Sequence, residues 1–160
     1  MGRHFARRLG GRLAESPLYE DVDLIVPVPL HGFRHFRRGY NQAEIIARAL
    51  AEKMGKSDRL CINLLRRTRH TKTQTQLSIE QKQRNVADAF RVSPCSFALL
   101  SHRASSASAS APSGFPRHIL LVDDVFTTGS TLSQCHKALR QVFPPTVRIS
   151  VATLAFVGEG

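Results

Sequence analysis

The chain has 160 residues of ordinary soluble composition, with 42% hydrophobic residues, and its 23 Lys plus Arg against 12 Asp plus Glu give a net charge of +11. That length suits one domain with a core of its own, and the charge favours an anionic partner, a polyphosphate or a nucleic acid, without choosing between them. Cys61, Cys95 and Cys135 are odd in number and far apart with no Cys-x-x-Cys, which argues against a disulfide framework or a zinc site; with no apolar run near the ~20 residues of a membrane helix, a cytoplasmic protein without a membrane partner is expected.

Residues 1–14 place Phe5, Leu9 and Leu13 four apart with Arg3, Arg7, Arg8 and Arg12 largely elsewhere, the pattern of a one-sided helix, expected to pack on a sheet. An Arg-rich organelle-targeting peptide is the competing reading. Met1-Gly2 is not a myristoylation signal, because Ala6 stands where Ser or Thr is needed. Residues 23–28 read as a short apolar strand cut by Pro27 and Pro29. An acid-free loop follows, carrying His31, Arg34, His35, Arg37 and Arg38 among Gly32 and Gly39. An ordinary solvated loop is the bland explanation. If the preceding strand is the first of a parallel sheet, however, this loop emerges at the carboxyl edge, where such sheets bind ligands.

Asn41 and Glu44 have the spacing of a capping box, and Ala43, Ile46, Ala47, Leu50 and Met54 share one face, so a helix is expected from Asn41 until Gly55 stops it. It would cross over to a second parallel strand at 60–65. Residues 66–76 are polar throughout and hold Arg66, Arg67, Arg69, His70 and Lys72. They read as a loop, either a lid over an anion or a nucleic-acid contact. A helix over 78–86 would return the chain to a strand at 89–92, and the Ser/Ala-rich residues 101–116 read as a disordered surface insertion.

The stretch that organises the chain begins at Ile119. Ile119, Leu120, Leu121 and Val122 form an apolar run without polar alternation, which fits a strand buried on both faces. Asp123 and Asp124 follow at its carboxyl end. Next comes Thr127-Thr128-Gly129-Ser130-Thr131, then a helix over 132–142 stopped by Pro144 and Pro145. Unpaired amides at that helix start, together with the hydroxyls of Thr127, Thr128, Ser130 and Thr131, make a phosphate cup that Gly129 lets curl tightly. Two carboxylates beside such a cup suit a ribose 5-phosphate, whose hydroxyls they would accept. A buried strand with an acid-capped helix and no ligand is the plain alternative. A receiver domain also sets paired acids after an apolar strand, but too few residues follow Asp124 for the rest of that fold. A Walker loop is excluded because no Gly-Lys-Ser/Thr occurs. A last strand at 147–154 would close the sheet.

Residues 119–131 resemble, without a gap, the phosphoribosyl-diphosphate (PRPP) signature of type I phosphoribosyltransferases. Further likeness lies in Val26-Pro27-Val28-Pro29-Leu30-His31, Arg34, Arg38-Gly39-Tyr40-Asn41-Gln42-Ala43, Arg67-Thr68-Arg69 with Gln74 and Gln76-Leu77, Arg84-Asn85 and Ala89-Phe90. Together these resemble the ComF family of competence-associated phosphoribosyltransferase-like proteins across residues 21–155. The resemblance implies an α/β fold, with a mainly parallel twisted sheet flanked by helices, as one phosphoribosyltransferase-like domain over 1–160. It implies that Asp123 and Asp124 bind ribose hydroxyls, that Thr127, Thr128, Gly129, Ser130 and Thr131 bind the 5-phosphate, and that Arg34, Arg37 and Arg38 lie near pyrophosphate. Mg²⁺ would arrive with PRPP, with no metal held by protein groups alone. Arg67, Arg69 and Lys72 would act as a catalytic lid. The partners implied are PRPP and an acceptor that the motifs do not specify, with a homodimer allowed. A PRPP-binding regulator without turnover and a nucleic-acid-binding accessory are the alternatives. The family's cysteine-rich zinc module has no counterpart in this sequence.

Overall fold

The computed structural model describes residues 2–30, 40–68, 89–98 and 115–157. Its centre is β4 (His118–Phe126), in which Ile119, Leu120, Leu121 and Val122 are all buried. Successive strand residues point to opposite faces, so Ile119 and Leu121 enter one core with Leu132, Cys135, Leu139 and Phe143. Leu120 and Val122 enter another with Ala6, Leu13, Ile46 and Leu50. Each such fully buried aliphatic contributes roughly 1.5–3 kcal/mol. Two-sided burial is why the run carries no polar alternation.

β4 lies between β1 (Leu24–Pro27) and β5 (Arg148–Phe156), parallel to both, in the order β1-β4-β5. The α/β class, with a parallel sheet flanked by helices, is the one the sequence implied, and it is compatible with a type I phosphoribosyltransferase-like fold. β1 ends where Pro27 removes a donor, and the amide of Val28 still bonds Val122 O at 2.8 Å. α1 (Gly2–Glu15) and α2 (Gln42–Lys53) cover one face, while α3 (Ser130–Arg140) covers the other. Asn41 begins α2: its side chain accepts the Ala43 amide at 3.1 Å and donates to Val28 O at 3.1 Å, tying the helix start to the end of β1. The reciprocal half of the expected capping box is replaced, since Glu44 pairs with Arg48 one turn on.

Several expectations change. α1 forms, but its buried residues are Ala6, Gly10 and Leu13, while Phe5 is 50% exposed. Its main neighbour is α2, with a smaller contact to β5. Small residues set this seam: a Cβ on Gly10 would stand 2.9 Å from Lys53 Cβ and 3.1 Å from Leu50 Cα, so the helices approach too closely for a large side chain.

The second parallel strand expected at 60–65 is reduced to a single bridge, Ile25 to Leu60, held by the Cys61 amide on Ile25 O at 2.9 Å. The chain then leaves the sheet. β2 (Leu65–Arg67) pairs antiparallel with β3 (Phe90–Val92), and the Thr68 amide on Ala89 O and the Ser93 amide on Leu64 O extend the ladder at both ends. Arg66 and Arg67, expected in a loop, are therefore strand residues. This ladder packs on α3, because Leu65 and Phe90 are apolar and point into the α3 core. The helix expected at 78–86 lies outside the described residues. So do 101–114 of the Ser/Ala-rich span, but its end does not: Phe115 packs with Phe97 and Phe143, at ring centroid distances of 6.2 and 6.1 Å. α3 starts at Ser130, two residues before the expected 132, because Gly129 already caps it.

The amino-end of β4 is closed by polar groups. His118 is fully buried, with Nδ1 2.9 Å from Asp21 Oδ1 and Nε2 2.8 Å from Ser150 Oγ; Arg148 pairs with Asp21, and Asp23 accepts the Arg117 and His118 amides. Among the described residues no helix is long and apolar enough to cross a membrane.

Candidate ligand-binding site

At the other end, β4 runs on through both acids to Phe126 before turning over Thr127 and Thr128 into α3. Strand alternation separates the carboxylates. Asp123 shares the α3 side with Ile119 and Leu121, whereas Asp124 falls on the side of Leu120 and Val122. Each is pinned by the next amide: Asp124 N donates to Asp123 Oδ1, and Val125 N to Asp124 Oδ1, both at 2.9 Å.

Gly129 makes the turn. Its φ of 71° is left-handed, and a Cβ there would lie 2.8 Å from Phe126 Cζ, so backbone and ring both demand glycine. The Ser130 amide reaches back to Thr128 Oγ1 at 3.4 Å, and Thr128 Oγ1 donates to Ser130 Oγ at 3.2 Å. Ser133 N to Gly129 O, at 2.8 Å, is the first turn-closing bond of α3. The amides of Thr131 and Leu132 ahead of it have no intrahelical acceptor. No acid occupies that first turn, while Lys137 and Arg140 sit in the last, so no side chain of α3 itself offsets the positive helix end.

These groups line one shallow, open concavity, bounded by Asp123, Val125, Phe126, Thr127, Gly129, Ser130, Thr131 and Leu132. Of the site residues expected from sequence it gathers Asp123, Thr127, Gly129, Ser130 and Thr131. Asp124 and Thr128 stand outside its lining. Arg34, Arg37, Arg38, Arg69 and Lys72 lie outside the described residues.

Burial pushes the Asp123 carboxyl up to about 6 and the adjacent Asp124 charge adds to this, against the Asp124 amide bond that pulls it down. The Cys135 thiol on α3 is pushed up to about 12 by burial and then by the Asp123 charge, offset in part by Arg67, so it is an inert core thiol. Asp123 and Arg67 therefore both act electrostatically on Cys135. Arg67 projects from β2 with its guanidinium 5.1 Å from the Phe90 ring centroid. It is carried on a packed ladder and stands outside the lining of the concavity.

Sequence reasoning did not identify three supports of this site: Phe126 beneath Gly129, its stacked partner Phe156 at 5.5 Å, and Phe90 under Arg67. The only local signal was an aromatic three residues before the turn glycine. No group of three metal-ligating side chains occurs among the described residues. The hard oxygens of Asp123 and Asp124, one half-buried with its ionised form disfavoured by burial, are the donor type that Mg²⁺ takes when a phosphate ligand supplies the rest.

No protein-family model matches the sequence, and no solved structure matches it. Among curated proteins the chain is 36% identical over 121 residues to Competence protein F of Haemophilus influenzae, covering 75% of this chain and 45% of that protein. It is 34% identical over 130 residues to DNA utilization protein YhgH of Salmonella typhi, covering 79% and 47%, and 34% identical over 120 residues to that of Escherichia coli K12, covering 73% and 43%. The chain thus spans a little under half the length of these relatives.

Proposed function

The chain belongs to the ComF family, and on that premise, joined to the site geometry, we propose that it binds PRPP with Mg²⁺ and transfers the ribose 5-phosphate to an acceptor. The observation that carries this reading is the half-buried Asp123 sharing one concavity with the 127–131 turn and the open amides of α3. The 5-phosphate takes the Thr131 and Leu132 amides and the Thr127, Ser130 and Thr131 hydroxyls, where helix polarity favours an anion. Asp123 accepts from a ribose hydroxyl. Mg²⁺ arriving with the ligand's phosphates would take Asp123 as its protein oxygen donor and would supply neutralisation of the pyrophosphate charge.

In the transfer, the ribose C1 bond to the pyrophosphate oxygen breaks as the acceptor's nucleophilic atom bonds C1, and pyrophosphate leaves with the electron pair. Arg67 provides a cation on the Asp123 side of the ladder to meet that growing charge. Catalysis by positioning and charge stabilisation needs no general base among the described residues.

Calorimetry with PRPP, with and without Mg²⁺, tests the site. The double variant Asp123→Asn with Asp124→Asn is expected to weaken binding by roughly 1–3 kcal/mol per charged hydrogen bond lost; unchanged affinity refutes the assignment. A pyrophosphate-release assay against nucleobases and amines tests turnover. Arg67→Ala is expected to leave PRPP affinity within a few-fold and to cut turnover by roughly a hundredfold. Tight PRPP binding with no release for any acceptor would instead establish a regulator.

The names of the relatives and the +11 charge favour a setting in DNA uptake or use. If that charge meets DNA directly, single-strand affinity will fall with salt at a slope of about −0.7 per phosphate contacted and will ignore Asp123→Asn.

A further inference from the structure

The two edges of the three-stranded sheet are finished differently. β1 is four residues long, ends in Pro27 with Pro29 just beyond, and is bridged on its outer side by Leu60, with the Cys61 amide on Ile25 O at 2.9 Å. Short length, proline and a covering segment are what keep an edge from pairing with another chain. β5, at the opposite edge, runs nine residues without proline, and from Ile149 to Val157 the chain carries no charge. The Arg148 amide bonds Arg117 O beside β4 at 2.8 Å. In the alternation of the parallel ladder, Ile149, Val151 and Thr153 therefore turn their amides and carbonyls outward, where no described residue bonds them. Exposed apolar side chains gather along the same edge. Val151 is 44%, Phe156 73% and Val157 60% exposed, and Leu18, 66% exposed, lies against the start of the strand, its carbonyl accepting from Arg148 at 3.1 Å.

We propose that the outer edge of β5 pairs with the β5 of a second copy of this chain, antiparallel about a two-fold axis at Val151, joining two sheets into one. The inference stands apart from the ligand reading. A row of outward amides and carbonyls is matched by another strand, and a two-fold axis lets one patch serve both partners. With the axis at Val151, that residue lies against its own counterpart and Ile149 against the counterpart of Thr153, so the outward groups of all three find partners. Charge argues for a second copy. A foreign protein would be steered to a chain of +11 by acids meeting bases, and this edge offers none. Two copies, in contrast, repel except where they are neutral, and residues 149–157 are neutral. Arg148, the charge on β5, is held by Asp21. Its counterpart would stand six residues along the paired strands, about 20 Å away and well beyond the ~8 Å screening length at physiological salt. Antiparallel pairing sends the two carboxyl edges to opposite ends of the joined sheet, so both 127–131 turns stay open.

Sedimentation equilibrium of the 160-residue chain over about 1–100 μM is expected to show a monomer–dimer equilibrium, because one strand pair is a small interface. Val151→Lys sets like charges directly opposite at the axis and should raise the dissociation constant by roughly tenfold or more; Val151→Glu should do the same. An equimolar mixture of the two variants should dimerise again, which a variant that merely misfolds would not do. The wild type supplies a second measurement that needs no variant. Amide exchange at Ile149, Val151 and Thr153 should slow as concentration rises, while Ser150 and Ala152, bonded to β4, exchange slowly throughout. A dimer that Val151→Lys leaves intact, or outward amides that ignore concentration, overturns the proposal. So does a monomer at every concentration, which would leave the edge to a strand from a different protein.

Discussion

Asp123→Asn is expected to stabilise the ligand-free protein while it impairs the site. The carboxyl has an ordinary value of 3.8 and stands at about 6 in the fold, mainly because burial disfavours its charge. An acid raised in this way binds its proton more tightly folded than unfolded, so its ionised form is a penalty on folding. The penalty is absent below pH 4, grows between pH 4 and 6, and is complete by pH 7. At about 1.36 kcal/mol per pH unit the full gap would be about 3 kcal/mol, and solvent screening of a half-exposed group reduces this to about 1–2 kcal/mol. Asparagine keeps the oxygen that accepts the Asp124 amide and removes the charge. Melting curves should therefore show Asp123→Asn raised by about 2–8 °C at pH 7.5 and equal to wild type at pH 4. PRPP affinity of the wild type should rise between pH 5 and 7 as Asp123 ionises, by about tenfold beyond any rise seen in Asp123→Asn. A variant that melts lower at pH 7.5, or that gains equally at both pH values, would refute the reasoning.

Two pairs of glycine variants test the close approaches. Gly129→Ala should cost more than Gly55→Ala in denaturant titrations: both are left-handed, worth about 1–2 kcal/mol each, but only Gly129 has a ring 2.8 Å from the new carbon, against nothing within 4 Å at Gly55. Gly129→Ala should also lose PRPP binding. On α1, Gly11→Ala should stabilise by up to about 1 kcal/mol through helix propensity, since nothing lies within 4 Å of its new carbon. Gly10→Ala should destabilise despite the same propensity gain, because overpacking against Leu50 and Lys53 costs about 1–3 kcal/mol; equal effects at the two positions would mean the helices are not in close contact.

What could be read from sequence was what local chemistry decides. The run from Ile119 to Val122 announces its own two-sided burial, and an acid pair followed by hydroxyls and glycine announces a turn into a helix. What could not be read depended on partners distant in sequence. Leu60, Leu64 and Leu65 look like one strand, yet the first bridges β1 while Leu65 opens a ladder with Val92, and only the packing of that ladder on α3 decides the split. The α1 seam follows Ala6 and Gly10 and not Phe5, because close helix approach selects for smallness, which a hydrophobic pattern does not register. Phe115 was hidden by the Ser/Ala-rich composition around it. Ending the strand at Val122 also concealed the alternation that sends Asp123 and Asp124 to opposite sides of the sheet.

The two ends of β4 are built for opposite purposes. At the amino-end His118 is enclosed with both ring nitrogens engaged, and no described side chain leaves a buried polar atom without a partner. At the carboxyl end burial raises the pKa of Asp123, in a ladder that β5 continues to Phe156. A strand pinned at one end, paired with β1 as far as Val122 and with β5 as far as Phe126, has little freedom to shift when a ligand engages Asp123. Any adjustment must then come from the Thr127–Thr128–Gly129 turn, where the Thr128 hydroxyl meets Ser130 only in long contacts of 3.2 and 3.4 Å. Binding at this site should therefore be read out in the turn and the first turn of α3. Amide exchange slowed at Ser130, Thr131 and Leu132 on addition of PRPP, with Leu120 and Leu121 unchanged, is the expected pattern; protection spread evenly along β4 would show that the strand itself moves.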